Sequence, residues 1–403
     1  MSLLSANAVR ERAREMLELG LAGELPHFRI DLDRLAPLSD YVAHVVRDNY
    51  PNLDVPLHAR WRHFVVRGWN LWEEIAQRTA WRGPAERVRA EFDLAVVSVL
   101  LDAGAGTDWR YNDASIGATL GRSEGLALAS LRMFERGVFS SDSRDPLRAD
   151  AARLATITAG DLAAGFAVDE HNPLTGLEGR AALLARLGHH MRDNTHIFAT
   201  RDTARAGGLF DHLADTATDG ELTAPAILHA LLVHLGPIWP DRLTLGRIPL
   251  GDTWRHRAIE RADASDGLVP LHKLPQWLSY SLIEPLRTAG LRVGDIDGLT
   301  GLAEYRNGGL FVDGGVIAPR DPAQTTRAHS VDAEFVVEWR ALTVALLDRL
   351  ARLVREHLGI SAQEFPLGAL LEGGTWAAGR KIAKEKRSDG RPPFRIVSDG
   401  TVF

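Results

Sequence analysis

Cysteine is absent from the 403 residues. That excludes disulfides, thiolate metal sites and cysteine nucleophiles together, and makes a reducing, cytoplasmic setting the expectation. Long apolar runs are missing as well, so no segment reads as a membrane span. Nor is there an excess of positive charge. The 47 Lys and Arg stand against 53 Asp and Glu, a formal net charge of -6, which argues against a nucleic-acid surface. Met1 to Ala6 lead directly into Arg10-Glu11-Arg12-Ala13-Arg14-Glu15, without the apolar core of a signal peptide. Internal repeats and linkers of disordered composition are lacking too. What remains is ordinary for a globular chain, 45% hydrophobic and 25% charged, with enough length for a sizeable core.

Helical periodicity dominates what is there. Ala6 to Leu19 carries Val9, Ala13, Met16 and Leu17 on one side, and Pro37 to Arg47 reads as a second helix ended by Asn49-Tyr50-Pro51. Glu91 to Leu101 reads as a buried helix. Ser123 is expected to cap a helix that stops at Gly137, and Leu147 to Ala164, Leu177 to Met191 and Pro225 to Leu235 follow. Gly236-Pro237-Ile238-Trp239-Pro240 is a firm stop. Glu334 to Leu358 is the clearest helix, with Phe335, Trp339, Leu342, Leu346, Leu350 and Leu353 recurring at spacings of four and three. Strand expectations are few: His58 to Phe64, Leu243 to Leu250 and Phe394 to Val397. The expected class is mainly α with a few short strands, either one extended domain over 1–403 or two packed halves, 1–220 and 221–403.

Several motifs fail on context. Gly104-Ala105-Gly106 after an apolar run lacks the third glycine and the following helix that a dinucleotide site needs. A phosphoribosyl-diphosphate loop would carry paired acids before a Thr-Gly turn, and Asp102 stands alone. Gly121-Arg122-Ser123-Glu124-Gly125 has the letters of a nucleophile elbow without the preceding strand. His-Glu-x-x-His spacing is absent, leaving His256 and His272 as scattered candidates for a metal-assisted alternative.

One stretch stands out, Leu299 to Asp313. It sets Glu304, Tyr305, Arg306, Asn307 and Asp313 among Gly298, Gly301, Gly308 and Gly309. Glycines permit sharp turns or close approach to a ligand, and carboxylates in such a place suit acid–base work or stabilise a cation. The stretch reads as a glycine-containing hairpin presenting Glu304 into a pocket, with the Glu338 helix behind it. Ion pairs of Glu304 with Arg306, and of Glu338 or Arg340 with another helix, are the structural alternatives. Trp254, Trp277, Tyr280 and Tyr305 offer faces for a planar base or a sugar. Arg60 and Arg62, within Arg60-Trp61-Arg62-His63-Phe64, and Lys273 offer charge for a phosphate.

Nearly the whole chain resembles a microbial family of uracil-catabolism proteins. The resemblance is carried by Arg60-Trp61-Arg62-His63-Phe64, Leu101 to Gly106, Gly121 to Gly125, Phe139-Ser140-Ser141-Asp142, Gly236 to Pro240, Glu304-Tyr305-Arg306 and the closing Ser398-Asp399-Gly400-Thr401-Val402-Phe403. It implies a place in a pathway that converts uracil, through ribosylated intermediates, to urea and a three-carbon acid. A second resemblance covers the last third. Glu304-Tyr305-Arg306 followed by Glu338-Trp339-Arg340-Ala341 is similar to the Asp-Tyr-Arg and Glu-x-Arg-Ala motifs of queuosine-salvage nucleotide N-ribosylhydrolases. Here Glu stands for their Asp, and Asn307-Gly308 for their Val-Pro. That resemblance implies a helical fold akin to helix-hairpin-helix DNA glycosylases.

Together these lead to an expected N-ribosyl hydrolase acting on a ribosylated urea or pyrimidine nucleotide. Glu304, Asp313, Glu338 and Arg306 are its catalytic candidates. Trp254, His272, Lys273, Trp277, Tyr280, Tyr305, Asn307, Arg340, Arg60 and Arg62 are its substrate-binding candidates. No cofactor and no metal is called for, and the partner is a small molecule rather than a nucleic acid or a membrane. A metal-assisted hydrolase that opens the pyrimidine ring and a non-catalytic pathway protein are the alternatives.

Overall fold

The computed structural model describes residues 3–106, 108–201, 203–239 and 242–397. Pro240 and the closing Ser398 to Phe403 motif lie outside the described residues. Helices make up most of the ordered backbone, and the strands are two or three residues long, each paired with one other. Among the described residues no helix is long and apolar enough to cross a membrane. The chain divides into two compact units, neither continuous in sequence. The first comprises the described residues of 1–58, 241–276 and 295–397, and the second those of 59–240 and 277–294.

In the first unit the 25-residue helix Glu334–Leu358 is the axis. Its stripe of Phe335, Trp339, Leu342, Leu346 and Leu350 is buried, and the helices Ala6–Leu21 and Leu35–Asn49 pack against it. Ser5 caps the first of these by accepting the Ala8 N–H. Gly359, left-handed at φ 70°, closes the long helix. Helix Tyr305–Asp313 lies between the long helix and helix Ala377–Lys386. Short ladders hold the loops: Phe28–Ile30 antiparallel to Ile317–Pro319, Thr253–Arg255 antiparallel to Leu268–Pro270, and Ala328–Ser330 parallel to Arg395–Val397.

The second unit is built around Pro84–Leu100, whose last ten residues are all buried, with Arg122–Glu135, Leu177–Asp193 and Gly208–Thr216 against it. Several expectations shift here. Arg60–Phe64 is a turn of 3-10 helix rather than a strand, because Trp61 and Phe64 both enter the core from a segment too short to pair. Helix Arg122–Glu135 starts one residue before Ser123, so Ser123 lies inside it and Gly121 takes the cap position. The stretch from Leu147 breaks into Ala151–Leu154 and Ala159–Gly165, because Thr158 and Asp161 form a capping box that restarts the helix.

Candidate active site

Glu304 stands immediately before helix Tyr305–Asp313 and caps it. Its two carboxylate oxygens accept the backbone N–H groups of Arg306 at 2.6 Å and Asn307 at 2.5 Å. The expected hairpin is therefore a helix, and the glycines serve packing rather than turning. A Cβ on Gly308 would lie 2.7 Å from the Trp339 indole, and one on Gly301 would lie 2.5 Å from Leu347. Gly308 lets its helix, and Gly301 the loop before it, approach the long helix more closely than a side chain would allow.

Glu304 is 7% exposed, and no cation forms an ion pair with its carboxyl among the described residues. Burial pushes its pKa up, against the pull of the two N–H donors and of the nearby Lys273 and Arg306 charges. The other carboxylates are tied differently. Asp313 receives both guanidinium arms of Arg387, at 2.7 and 2.5 Å. Glu338 is wholly buried; one oxygen accepts the His27 and Phe28 N–H groups at 3.2 and 2.7 Å, and the other meets His256 Nε2 at 3.0 Å. Both of these acids are engaged in holding segments of the chain together.

Arg340 does not pair with Glu338 or reach outward. It is 1% exposed and grips Asp252 through two bonds of 2.8 and 2.7 Å, while its Nε donates to the Ala303 carbonyl at 3.0 Å. Asp252 is not among the residues expected from the sequence to form the site. It sits inside the polar cluster Gly251 to His256, and one of its partners, Trp254, lies two residues away. The Trp254 indole N–H donates to it at 2.6 Å and the Lys273 backbone N–H at 2.9 Å. Its carbonyl accepts the N–H groups of Leu271 and His272. An acid two residues before a tryptophan was the available signal. The Arg340 charge and these donors hold its carboxyl far below the usual range despite burial.

His272 is fully buried with a positive φ of 48°, and its Nε2 bonds the Leu3 carbonyl at 2.9 Å. Burial lowers its pKa, so it is neutral near pH 7. Trp254 stacks under Arg242, whose guanidinium carbon is 4.9 Å from the ring centre. Arg306 lies 5.1 Å over the Tyr305 ring and donates to the Gly390 carbonyl at 2.9 Å. Asn307 is 1% exposed; its Nδ2 donates to the Leu302 carbonyl. His256 and His272 thus face different partners, and among the described residues no group of three or more His, Cys, Asp or Glu could hold a metal ion.

The remaining candidates fall in the second unit. Arg60 is fully buried and donates to Ser98 at 2.7 Å and Asp102 at 2.9 Å, with the Trp277 ring 5.3 Å away. Arg62 pairs with Glu284 at 2.5 Å. Trp277 and Tyr280 are buried on one helix, Lys273–Thr288. Three of the sequence motifs meet at Arg60, since its guanidinium also reaches the Ser123 carbonyl at 3.5 Å.

A family model described as "Protein of unknown function (DUF1688)" matches residues 2–403. The chain belongs to this family. It is 37% identical over 415 residues to Protein urg3 of Schizosaccharomyces pombe, a match covering 100% of this chain and 98% of that protein. It is 36% identical over 439 residues to Uracil catabolism protein 4 of Lachancea kluyveri, covering 99% of this chain and 98% of that one. Both matches run over nearly the full length of this chain and of each relative.

Proposed function

We propose that this protein is a cytoplasmic enzyme of uracil catabolism that hydrolyses the N-glycosidic bond of a ribosylated urea or pyrimidine nucleotide, with Glu304 as the reacting carboxylate. The pathway is supported by the name of the Lachancea kluyveri relative, similar over the full length. The reaction is supported by one observation above the others. Glu304 is buried, is satisfied by backbone N–H groups instead of a guanidinium, and has its proton affinity raised. Such a carboxyl holds its proton to higher pH than a free glutamate does, whereas Asp252 is held ionised by Arg340.

In the step envisaged, Glu304 takes a proton from a water whose oxygen bonds to the anomeric carbon. The bond from that carbon to nitrogen breaks, and the departing nitrogen receives the proton that Glu304 took up, which returns the carboxylate to its ionised form. As carbon–nitrogen cleavage runs ahead of water attack, the ionised carboxylate stabilises the oxocarbenium-like sugar. Lys273 supplies a positive charge beside it. The products are ribose or its phosphate and the free base or urea. The same reading carries the expectation of a helical arrangement akin to helix-hairpin-helix glycosylases.

The test is to incubate the protein with uracil, uridine, uridine monophosphate and ribosylurea and to follow ribose, ribose phosphate and urea. Release of sugar by the wild type, lost in Glu304→Gln, is the expected result. Opening of the pyrimidine ring with no sugar released, abolished by a chelator, would replace this reading with the metal-assisted one.

A further inference from the structure

Lys273 and Glu304 come from parts of the chain separated by a strand, most of a helix and a loop, yet their charges act on one another. Neither is on the long helix of the first unit, but both are tied to it through a single side chain. Arg340 donates through Nε to the carbonyl of Ala303, the residue directly before Glu304. Through its other two nitrogens it clamps Asp252. Asp252 in turn accepts the Lys273 N–H with its side chain, and those of Leu271 and His272 with its backbone carbonyl. One planar guanidinium therefore bonds the two segments from which Glu304 and Lys273 project. A bidentate fork fixes direction as well as distance, which an ammonium cannot do.

We propose that Arg340 is the positioning residue of this site: by joining Ala303 to Asp252 it sets the separation between the Glu304 carboxyl and the Lys273 ammonium. The proposal rests on the reading of Glu304 as the reacting carboxylate. Arg340, 1% exposed and bonded to protein acceptors, acts through its neighbours and not on substrate. The charged groups on the surrounding elements are few. Lys273 and Arg306 act on Glu304 directly. Asp313 is taken up by Arg387, Glu338 by His256 and two backbone N–H groups, and Arg380 of the neighbouring helix is stacked 4.7 Å over Trp376.

The same long helix supplies a matched control. Arg355 donates through Nε to the Phe365 carbonyl at 2.8 Å and through Nη2 to Asp297 at 2.7 Å, the same kind of bridge among other residues. The experiment follows the carboxyl resonance of Glu304 in full-length protein labelled with carbon-13 at the glutamate carboxyl, assigned by its loss in Glu304→Gln. In Arg340→Lys the midpoint of that titration should rise by about half a pH unit or more, because Lys273 recedes. Arg355→Lys should leave it in place. Where the wild type releases sugar, Arg340→Lys should also lower kcat about 100-fold with KM changed much less. An unchanged or lowered midpoint in Arg340→Lys, or an equal rise in Arg355→Lys, overturns the proposal. Should Arg340→Lys not fold, Asp252→Asn, which keeps the shape and weakens the clamp, is read by the same midpoint. A wild type that releases sugar from none of the four substrates sinks the hydrolase reading alone, since the titration still decides the role of Arg340.

Discussion

Two buried charge centres, one in each unit, are built from similar residues and behave differently. At the first, the Arg60 guanidinium meets the Asp102 carboxylate at 2.9 Å and the Ser98 hydroxyl at 2.7 Å, with an indole face beside it. Burial lowers the Arg60 pKa, and the Asp102 and Glu124 charges oppose that change. Around Glu304 the arginines are spent elsewhere, on Asp252, on Asp313 and on backbone carbonyls. The acid is left with N–H dipoles and with cations at a distance. Burial alone does not make a reactive group; burial without a neutralising charge moves a pKa toward working pH. The first centre is a fastening, and the second keeps a proton within reach.

The largest way to break this contrast is Glu304→Gln, expected to cut sugar release by about a thousandfold or more while the protein stays folded. If that variant turns over like wild type, the distinction drawn between the centres has no functional content. Arg60→Met is the complementary change. It should cost about 3 kcal/mol in urea unfolding, because a buried carboxylate loses its guanidinium. A cost within experimental error would show that the Arg60 centre is not a fastening.

A smaller effect is expected at Gly308→Ala, where the added methyl meets the Trp339 indole. The change should destabilise by about 1–3 kcal/mol and, by displacing the capped end of helix Tyr305–Asp313, reduce kcat as well. An equal loss of stability with untouched kcat would separate helix packing from the site. The smallest effect sharpens the electrostatic side. A carboxyl whose folded pKa is raised contributes stability that is complete below its unfolded pKa and is lost as pH rises through the folded one. Glu304→Gln removes that loss. The Tm of the variant relative to wild type should therefore climb by about 1–2 °C between pH 4.5 and pH 8. A flat or falling difference would mean that Glu304 is not raised.

Much of this was legible in residues read singly. The apolar stripe from Phe335 to Leu350 specifies a buried helix through spacing alone, and the expected Glu334–Leu358 is the helix found. The stop at Asn49-Tyr50-Pro51 and the left-handed Gly137 likewise act through their own backbone preferences. Glu304 stands out by its neighbours, a tyrosine, an arginine and glycines, and Trp277 and Tyr280 share the helix Lys273–Thr288. Asp252 escaped notice because its main partner, Arg340, lies 88 residues away.

Local signals determined a cysteine-free, mainly helical chain, with its main helices and a stretch unusual in its polar residues and glycines. They acted within a few residues, through periodicity and turn geometry. Whether that stretch became a hairpin or a helix was left to the tertiary structure. A nine-residue helix holding two adjacent glycines has little stability by itself. It forms because Glu304 caps it and because Gly308 lets it settle on Trp339. The assignment of each arginine to its carboxylate was decided in the same way. Distant segments had to be brought together before Arg340 could choose Asp252, and with that choice made no ion pair reaches Glu304 among the described residues.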